Sequence, residues 1–213
     1  MDIALIIISV AIGYLLGSVS FSVIVSKIAY KGDVREHGSG NAGATNMARV
    51  YGLKGAIFVL LADFGKCVLS MFLAKIIGET QNFTLGNICM SVAGGACLIG
   101  HAFPLFFKFK GGKGISVGAG LAVMCDWRVL LIILGVFIIV VLISKIVSLS
   151  SVCAAIALFI SGLVFYFTGI FGGAITLPEM ILCVLAPVLV IWLHRQNIAR
   201  LVKGQEKKLT FKK

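Results

Sequence analysis

The sequence predicts an all-α integral membrane protein: seven transmembrane helices, the N-terminus outside, the C-terminus cytoplasmic, and one short Gly-rich span over about residues 113–127. Three observations predict it. Of 213 residues, 60% are apolar and 13% charged, and mean hydropathy is +1.09. Soluble domains are roughly half apolar and a quarter charged, so this chain lacks the polar surface to coat a water-soluble globule. Apolar stretches recur at close to the roughly 20 helical residues that about 30 Å of hydrocarbon requires. The low charge content excludes a disordered or fibrous chain, and the net charge of +11 sits in a few segments between the apolar stretches.

The stretches run 3–25, 55–77, 83–103, 129–144, 152–170 and 176–193, with a shorter one at Ile115–Cys125. No basic residue precedes the first and no cleavage-like site of small residues follows it, so it reads as a span and not as a signal peptide. On length alone Ile115–Cys125 fits a re-entrant segment equally well; charge decides. If it crosses, the inner side holds Lys27, Lys31, Arg35, Arg49, Lys54, Lys108, Lys110, Lys113, Lys145 and the tail residues Arg195, Arg200, Lys203, Lys207, Lys208, Lys212 and Lys213, 16 of the 19 Lys and Arg. If it does not, the basic tail falls outside, against the positive-inside rule. Trp127, Tyr166 and Trp192 mark span ends as interfacial aromatics do. Gly13, Gly17, Gly94, Gly95, Gly118 and Gly120 suit close helix packing in lipid. The six cysteines lie in or beside apolar stretches without zinc-site spacing and read as small buried hydrophobes. Without repeats or linkers, residues 1–213 read as a single membrane domain.

Three inner segments carry chemistry. The first, 33–49, is D-V-R-E-H-G-S-G-N-A-G-A-T-N-M-A-R. It shows no apolar periodicity; Gly38, Gly40 and Gly43 permit close backbone approach to a ligand, and Ser39, Asn41, Thr45 and Asn46 supply neutral donors beside Arg49, a composition suited to phosphate. An ordinary hydrophilic turn is the competing account. The second, 100–114, is G-H-A-F-P-L-F-F-K-F-K-G-G-K-G. Gly111, Gly112, Lys113 and Gly114 offer amides and a lysine at a helix N-terminus, the makings of an anion site. The spacing is not that of an ATP-binding P-loop. Its Phe-rich part suits either headgroup depth or an acyl-chain slot. The third, 194–208, is H-R-Q-N-I-A-R-L-V-K-G-Q-E-K-K. Anchoring to anionic lipid accounts for Lys207, Lys208, Lys212 and Lys213, but not for His194, Arg195, Asn197 and Glu206. Asp63 and Lys66 share a face of the second span, as a functional pair or a mutually neutralised one.

G-S-G-N-A-G-A-T-N at 38–46, G-H-A-F-P-L-F-F-K-F-K-G-G-K-G at 100–114 and H-R-Q-N-I-A-R-L-V-K-G-Q-E-K at 194–207 resemble the three motifs of the bacterial membrane acyl-phosphate:glycerol 3-phosphate acyltransferases, in order, spacing and chain length. The resemblance implies a multi-pass protein of the bacterial plasma (inner) membrane with its active site on the cytoplasmic face. It also implies acyl transfer from acyl phosphate to the 1-hydroxyl of glycerol 3-phosphate, giving lysophosphatidic acid and inorganic phosphate for phospholipid synthesis. No cofactor, metal, nucleic acid or protein partner is expected; the partners are the two substrates and membrane lipids. Few motif acids (Asp33, Glu36, Glu206) and basic, Gly-rich segments fit phosphorylated substrates.

The catalytic set expected from that resemblance is Ser39, Lys113, His194 and Asn197. Phosphate binding is expected of Gly38, Gly40, Asn41, Gly43, Thr45, Asn46, Arg49, His101, Gly111, Gly112, Gly114, Arg195, Arg200 and Glu206. Lys113 with the amides of Gly111 to Gly114 would hold one phosphate, Ser39, Asn41, Thr45 and Arg49 the other, and Arg195 with Asn197 would close the pocket. The base is His194, His101 or a substrate phosphate oxygen. Ser39 as a covalent nucleophile lacks an oriented base. An anion transporter or channel is the alternative, suggested by the short Gly-interrupted span; the missing inverted repeat counts against it.

Overall fold

A computed structural model describes residues 1–170 and 175–209 of the chain; Lys212 and Lys213 of the basic tail lie outside the described residues. All regular structure among the described residues is helical. The helices are α1 Asp2–Gly17, α2 Phe21–Tyr30, α3 Ala44–Tyr51, α4 Leu53–Glu79, α5 Phe83–Ala102, α6 Ile115–Cys125, α7 Trp127–Ser144, α8 Val147–Thr168, α9 Leu177–Leu193 and α10 Arg195–Val202. Five stretches are long and apolar enough to cross a membrane, with Asp2–Tyr30 counted as one, and six if α9 and α10, bent by 60°, form one span. The protein is therefore a multi-pass membrane protein. At about 1.5 Å per residue α6 reaches about 16 Å, half a hydrocarbon core.

The chain divides into two compact units, Met1–Met124 and Cys125–Lys213. In the first, α1 and α4 pack on α5. Gly13 lies against the Ala93 carbonyl and Gly17 against Cys97, so a Cβ at either would drive the helices apart. Gly120 puts α6 on α4, where a Cβ would stand 2.7 Å from the Phe64 carbonyl oxygen. Gly118, in contrast, has open space where a Cβ would stand, so close packing does not explain it. In the second unit α8 packs on both α7 and α9. The six cysteines are free thiols, four buried and two half-buried.

Two elements differ from the sequence reading. The stretch 3–25 is not one rod: α1 stops at Ser18 and α2 restarts after Ser20. Ser20, extended at the start of α2, turns its hydroxyl to that of Ser22 and not to the backbone, and the break leaves the Val19 carbonyl to be claimed by Lys66. Segment 33–49 is not irregular throughout, because it contains a 3-10 turn, Val34–Glu36, and α3. Met47 anchors α3 in a small core with Val23, Val34, Ala42, Ala56 and Val59, and Ala44, Ala48 and Tyr51 pack against it.

Candidate active site

In the first unit the first two segments meet. Asn46, buried at the start of α3, accepts the Ser39 N–H at 2.8 Å through Oδ1, while Nδ2 donates to the carbonyls of Val34 at 2.8 Å and His37 at 3.0 Å. Its amide therefore shapes the loop and is not offered to a ligand. Gly38 and Gly40 adopt φ of 66° and 71°, the left-handed region that glycine enters without strain. Gly43 is extended. Ser39 is exposed and Asn41 half-buried. Thr45 and Arg49, four apart, share one face of α3.

The second segment leaves α5, makes a 3-10 turn at Leu105–Phe107 and doubles back before α6. The Gly111 and Gly112 amides donate to the carbonyls of Ala102 (3.2 Å) and His101 (3.1 Å). Two of the four amides expected to hold phosphate are thus spent on closing the loop. Gly112 is where the segments touch: a Cβ there would strike the His101 Nε2 edge and stand 2.9 Å from the Ala42 carbonyl oxygen. Arg35 adds a strap, donating to the Phe107 carbonyl at 2.9 Å while its guanidinium grips Asp33 at 2.7 Å. Those hydrogen bonds from Arg35 hold the Asp33 carboxyl below its ordinary value, against the opposing effect of burial.

Behind this seam lies a buried charge cluster. Lys66 Nζ sits 2.8 Å from Asp63 Oδ1, 2.8 Å from the Val19 carbonyl oxygen and 3.1 Å from His101 Nδ1. The Lys66–Asp63 contact has ion-pair distance but poor alignment, so Asp63 Oδ1 has no well-directed donor. Proximity, not hydrogen-bond geometry, makes that pair.

In the second unit the third segment forms the end of α9, α10 and the turn after it. His194 is buried, with Nδ1 2.8 Å from the Val190 carbonyl oxygen. A carbonyl only accepts, so Nδ1 carries the proton and Nε2 is the ring's basic nitrogen. Arg195 donates to the Trp192 carbonyl at 3.1 Å and stacks on the Trp192 ring at 4.1 Å, so its expected role in closing a pocket competes with an anchor already made. Glu206 accepts from Ser148 (2.8 Å), Asn197 (2.7 Å) and Arg200 (2.6 Å). Burial pushes the Glu206 carboxyl up, but these donors outweigh it and leave it below its ordinary value. Arg200 and Glu206, both expected to bind phosphate, here bind each other.

Residues 7–204 match the family model described as glycerol-3-phosphate acyltransferase. The chain belongs to that family. Among its relatives, the glycerol-3-phosphate acyltransferase of Prochlorococcus marinus strain NATL1A is 42% identical over 92% of this chain and 94% of its own. Glycerol-3-phosphate acyltransferase 2 of Bacillus anthracis is 39% identical over 95% and 98%. The crystal structure of PlsY, an integral membrane glycerol 3-phosphate acyltransferase, in its glycerol 3-phosphate form superposes with a TM-score of 0.84 at 30% identity, covering 96% of both chains. The lysophosphatidic acid form of PlsY gives 0.81 over 97% of this chain and 96% of that one. The transporter alternative is not favoured.

For a glycerol-3-phosphate acyltransferase the motif reading leaves out three residues beside the seam: Asp63, Lys66 and Arg35. Asp63 and Lys66 are a visible pair on one helix face, but His101, 35 residues beyond Lys66, joins them only through the packing of α5 on α4. Arg35 is likewise absent from the expected set, although its strap to Phe107 fixes one segment against the other.

Proposed function

We infer that this enzyme transfers a fatty acyl group from acyl phosphate to the 1-hydroxyl of glycerol 3-phosphate, releasing lysophosphatidic acid and inorganic phosphate at the cytoplasmic face of a bacterial plasma membrane. The observation that carries this reading is the seam in which Gly112 of one segment meets the Ala42 carbonyl of the other. Both segments bring cationic or neutral donors to it, and Asp33 is already neutralised by Arg35. Substrates and products here carry phosphate, which such a surface stabilises. Lys113 and Gly114 hold one phosphate; Ser39, Asn41, Thr45 and Arg49 hold the other. Leu105, Phe106 and Phe109 expose apolar surface beside Lys108 and Lys110, suited to the acyl chain.

The acceptor oxygen attacks the acyl carbonyl carbon; the new C–O ester bond forms as the bond to phosphate breaks, and phosphate departs with that electron pair. The hydroxyl proton goes to a base. His194 has the right property, a basic Nε2, and Asn197 is its companion in the third segment; a phosphate oxygen of the activated donor is the other acceptor. Counting α6 as a crossing gives seven spans with the basic segments inside, as positive-inside sorting favours.

Purified protein supplied with palmitoyl phosphate and glycerol 3-phosphate is expected to release phosphate only when both are present. Liposome uptake of phosphate without turnover would replace the enzyme by a carrier. The Lys113→Ala change is expected to lower turnover by about a hundredfold, the scale of a lost charged hydrogen bond.

A further inference from the structure

We propose that Lys66, held by Asp63, is a positioning residue for the acyl transfer: its ammonium fixes His101 as the Nε2–H tautomer, so the ring offers the glycine seam a hydrogen-bond donor and not a base. The proposal rests on the acyltransferase reading of that seam.

Proton counting carries it. An ammonium has three donors and no acceptor. The Lys66 ammonium faces the Val19 carbonyl oxygen (2.8 Å), Asp63 Oδ1 (2.8 Å) and His101 Nδ1 (3.1 Å), with the Phe21 ring centroid at 5.8 Å. A ring nitrogen at 3.1 Å from such a donor must accept, so Nδ1 is unprotonated and the ring proton sits on Nε2. The opposite tautomer would donate from Nδ1 to Asp63 Oδ1, but that separation is 3.6 Å, beyond a hydrogen bond. It would also set the Nδ1–H against the ammonium. An imidazolium would place a second, uncompensated cation beside Lys66, with all three side chains buried.

Mutual neutralisation of Asp63 and Lys66 needs only their own contact. Lys66 also ties α4 to the carbonyl released by the α1–α2 break and to the last turn of α5, from which the second segment departs. The Nε2 edge lies against Gly112, beside Lys113 and the Ala42 carbonyl. The cluster thus sets the orientation and proton of a ring that abuts both segments proposed to hold phosphate.

The test is the ring spectrum of 15N-histidine-labelled wild-type protein in lipid nanodiscs, without substrates. The chain has three histidines, His37, His101 and His194, and His101 is assigned by the signal lost in His101→Gln. A protonated Nε2 and a pyridine-type Nδ1 are expected; a proton on Nδ1, or on both nitrogens, overturns the proposal. In the double variant Asp63→Leu/Lys66→Met, which removes the ion pair as a unit, the single-tautomer signature should be lost. KM for glycerol 3-phosphate should rise about tenfold, the scale of one hydrogen bond, with a smaller change in kcat. A fall in kcat at constant KM overturns the positioning role in favour of a base. If the double variant does not fold, the wild-type spectrum still decides. Failure of the acyltransferase reading itself would show separately, as wild-type protein with no phosphate release dependent on glycerol 3-phosphate.

Discussion

Asp63 in the first unit and Glu206 in the second are both shielded carboxylates, with side chains 3% and 5% exposed, yet their partners differ in kind. Asp63 lies mid-way along a 27-residue apolar helix and is matched by a lysine one turn on, at ion-pair distance but poorly aligned. Glu206 follows α10, where three directed donors converge on it, one of them an arginine with a side chain 43% exposed. At membrane depth the first requirement is zero net charge, because an unpaired ion has no water to fall back on. Outside the span a carboxylate can be satisfied bond by bond, and its cation keeps one side in water.

That difference predicts unequal responses to losing one partner. The single change Lys66→Met strands the Asp63 charge among buried groups, where removing one partner of an ion pair costs about 3–5 kcal/mol. Thermal unfolding in detergent should show a large loss of Tm and of monodisperse protein, and adding Asp63→Leu should restore most of both. An equal loss in the single and double variants would mean that the lysine's bonds to Val19 and His101, not the charge balance, dominate.

A smaller effect is expected at Gly112. Alanine there meets the His101 ring edge and a fixed backbone oxygen, an overpacking worth about 1–3 kcal/mol, and should separate the two segments of the seam. Alanine at Gly118, with nothing within 4 Å of the added carbon, should be stabilising by about 0.5–1 kcal/mol through helix propensity. Turnover should fall in Gly112→Ala and hold in Gly118→Ala; similar behaviour of the two would deny the seam its role.

How far the sequence reveals this arrangement follows from the range of each interaction. Spans are written in runs of apolar residues, so α4, α5, α7 and α9 come out within two residues of expectation, whereas α8 begins five residues before the expected 152. There the left-handed Lys145 and the extended Ile146 end one helix and start the next within two residues, and Ser148, Ser150 and Ser151 make the first turns of α8 too polar to extend the apolar run back to Val147. The α1–α2 break is masked by the apolar residues on either side of Ser18 and Ser20. Helix α3 had a readable signature, Ala44, Met47, Ala48 and Tyr51 at helical spacing, diluted by the polar residues between them. Within the site, glycines at positive φ are legible at Gly38 and Gly40 because few other residues tolerate that backbone. What escapes is tertiary. Nothing local says that Gly111 and Gly112 spend their amides on α5, or that Arg200 and Glu206 choose each other.

The mildest contrast between the two clusters is in their response to acid. Glu206 keeps a carboxyl value below its ordinary 4.5 despite burial, because Arg200, Asn197 and Ser148 favour its charged form. A depressed value means that the native state binds the proton less readily than the unfolded chain does. The stability this supplies is therefore complete above the unfolded value and drains away as pH falls from about 4.5 through the native one. Wild-type Tm should decline over that range more steeply than that of Glu206→Gln, which has no carboxyl to protonate. Asp33, held down by Arg35, contributes a parallel slope from the first unit, so Asp33→Asn and Glu206→Gln should each flatten the acid limb and do so additively. The Glu206 assignment fails if its amide variant keeps the full wild-type slope, since the carboxyl would then be titrating alike in the folded and unfolded chains.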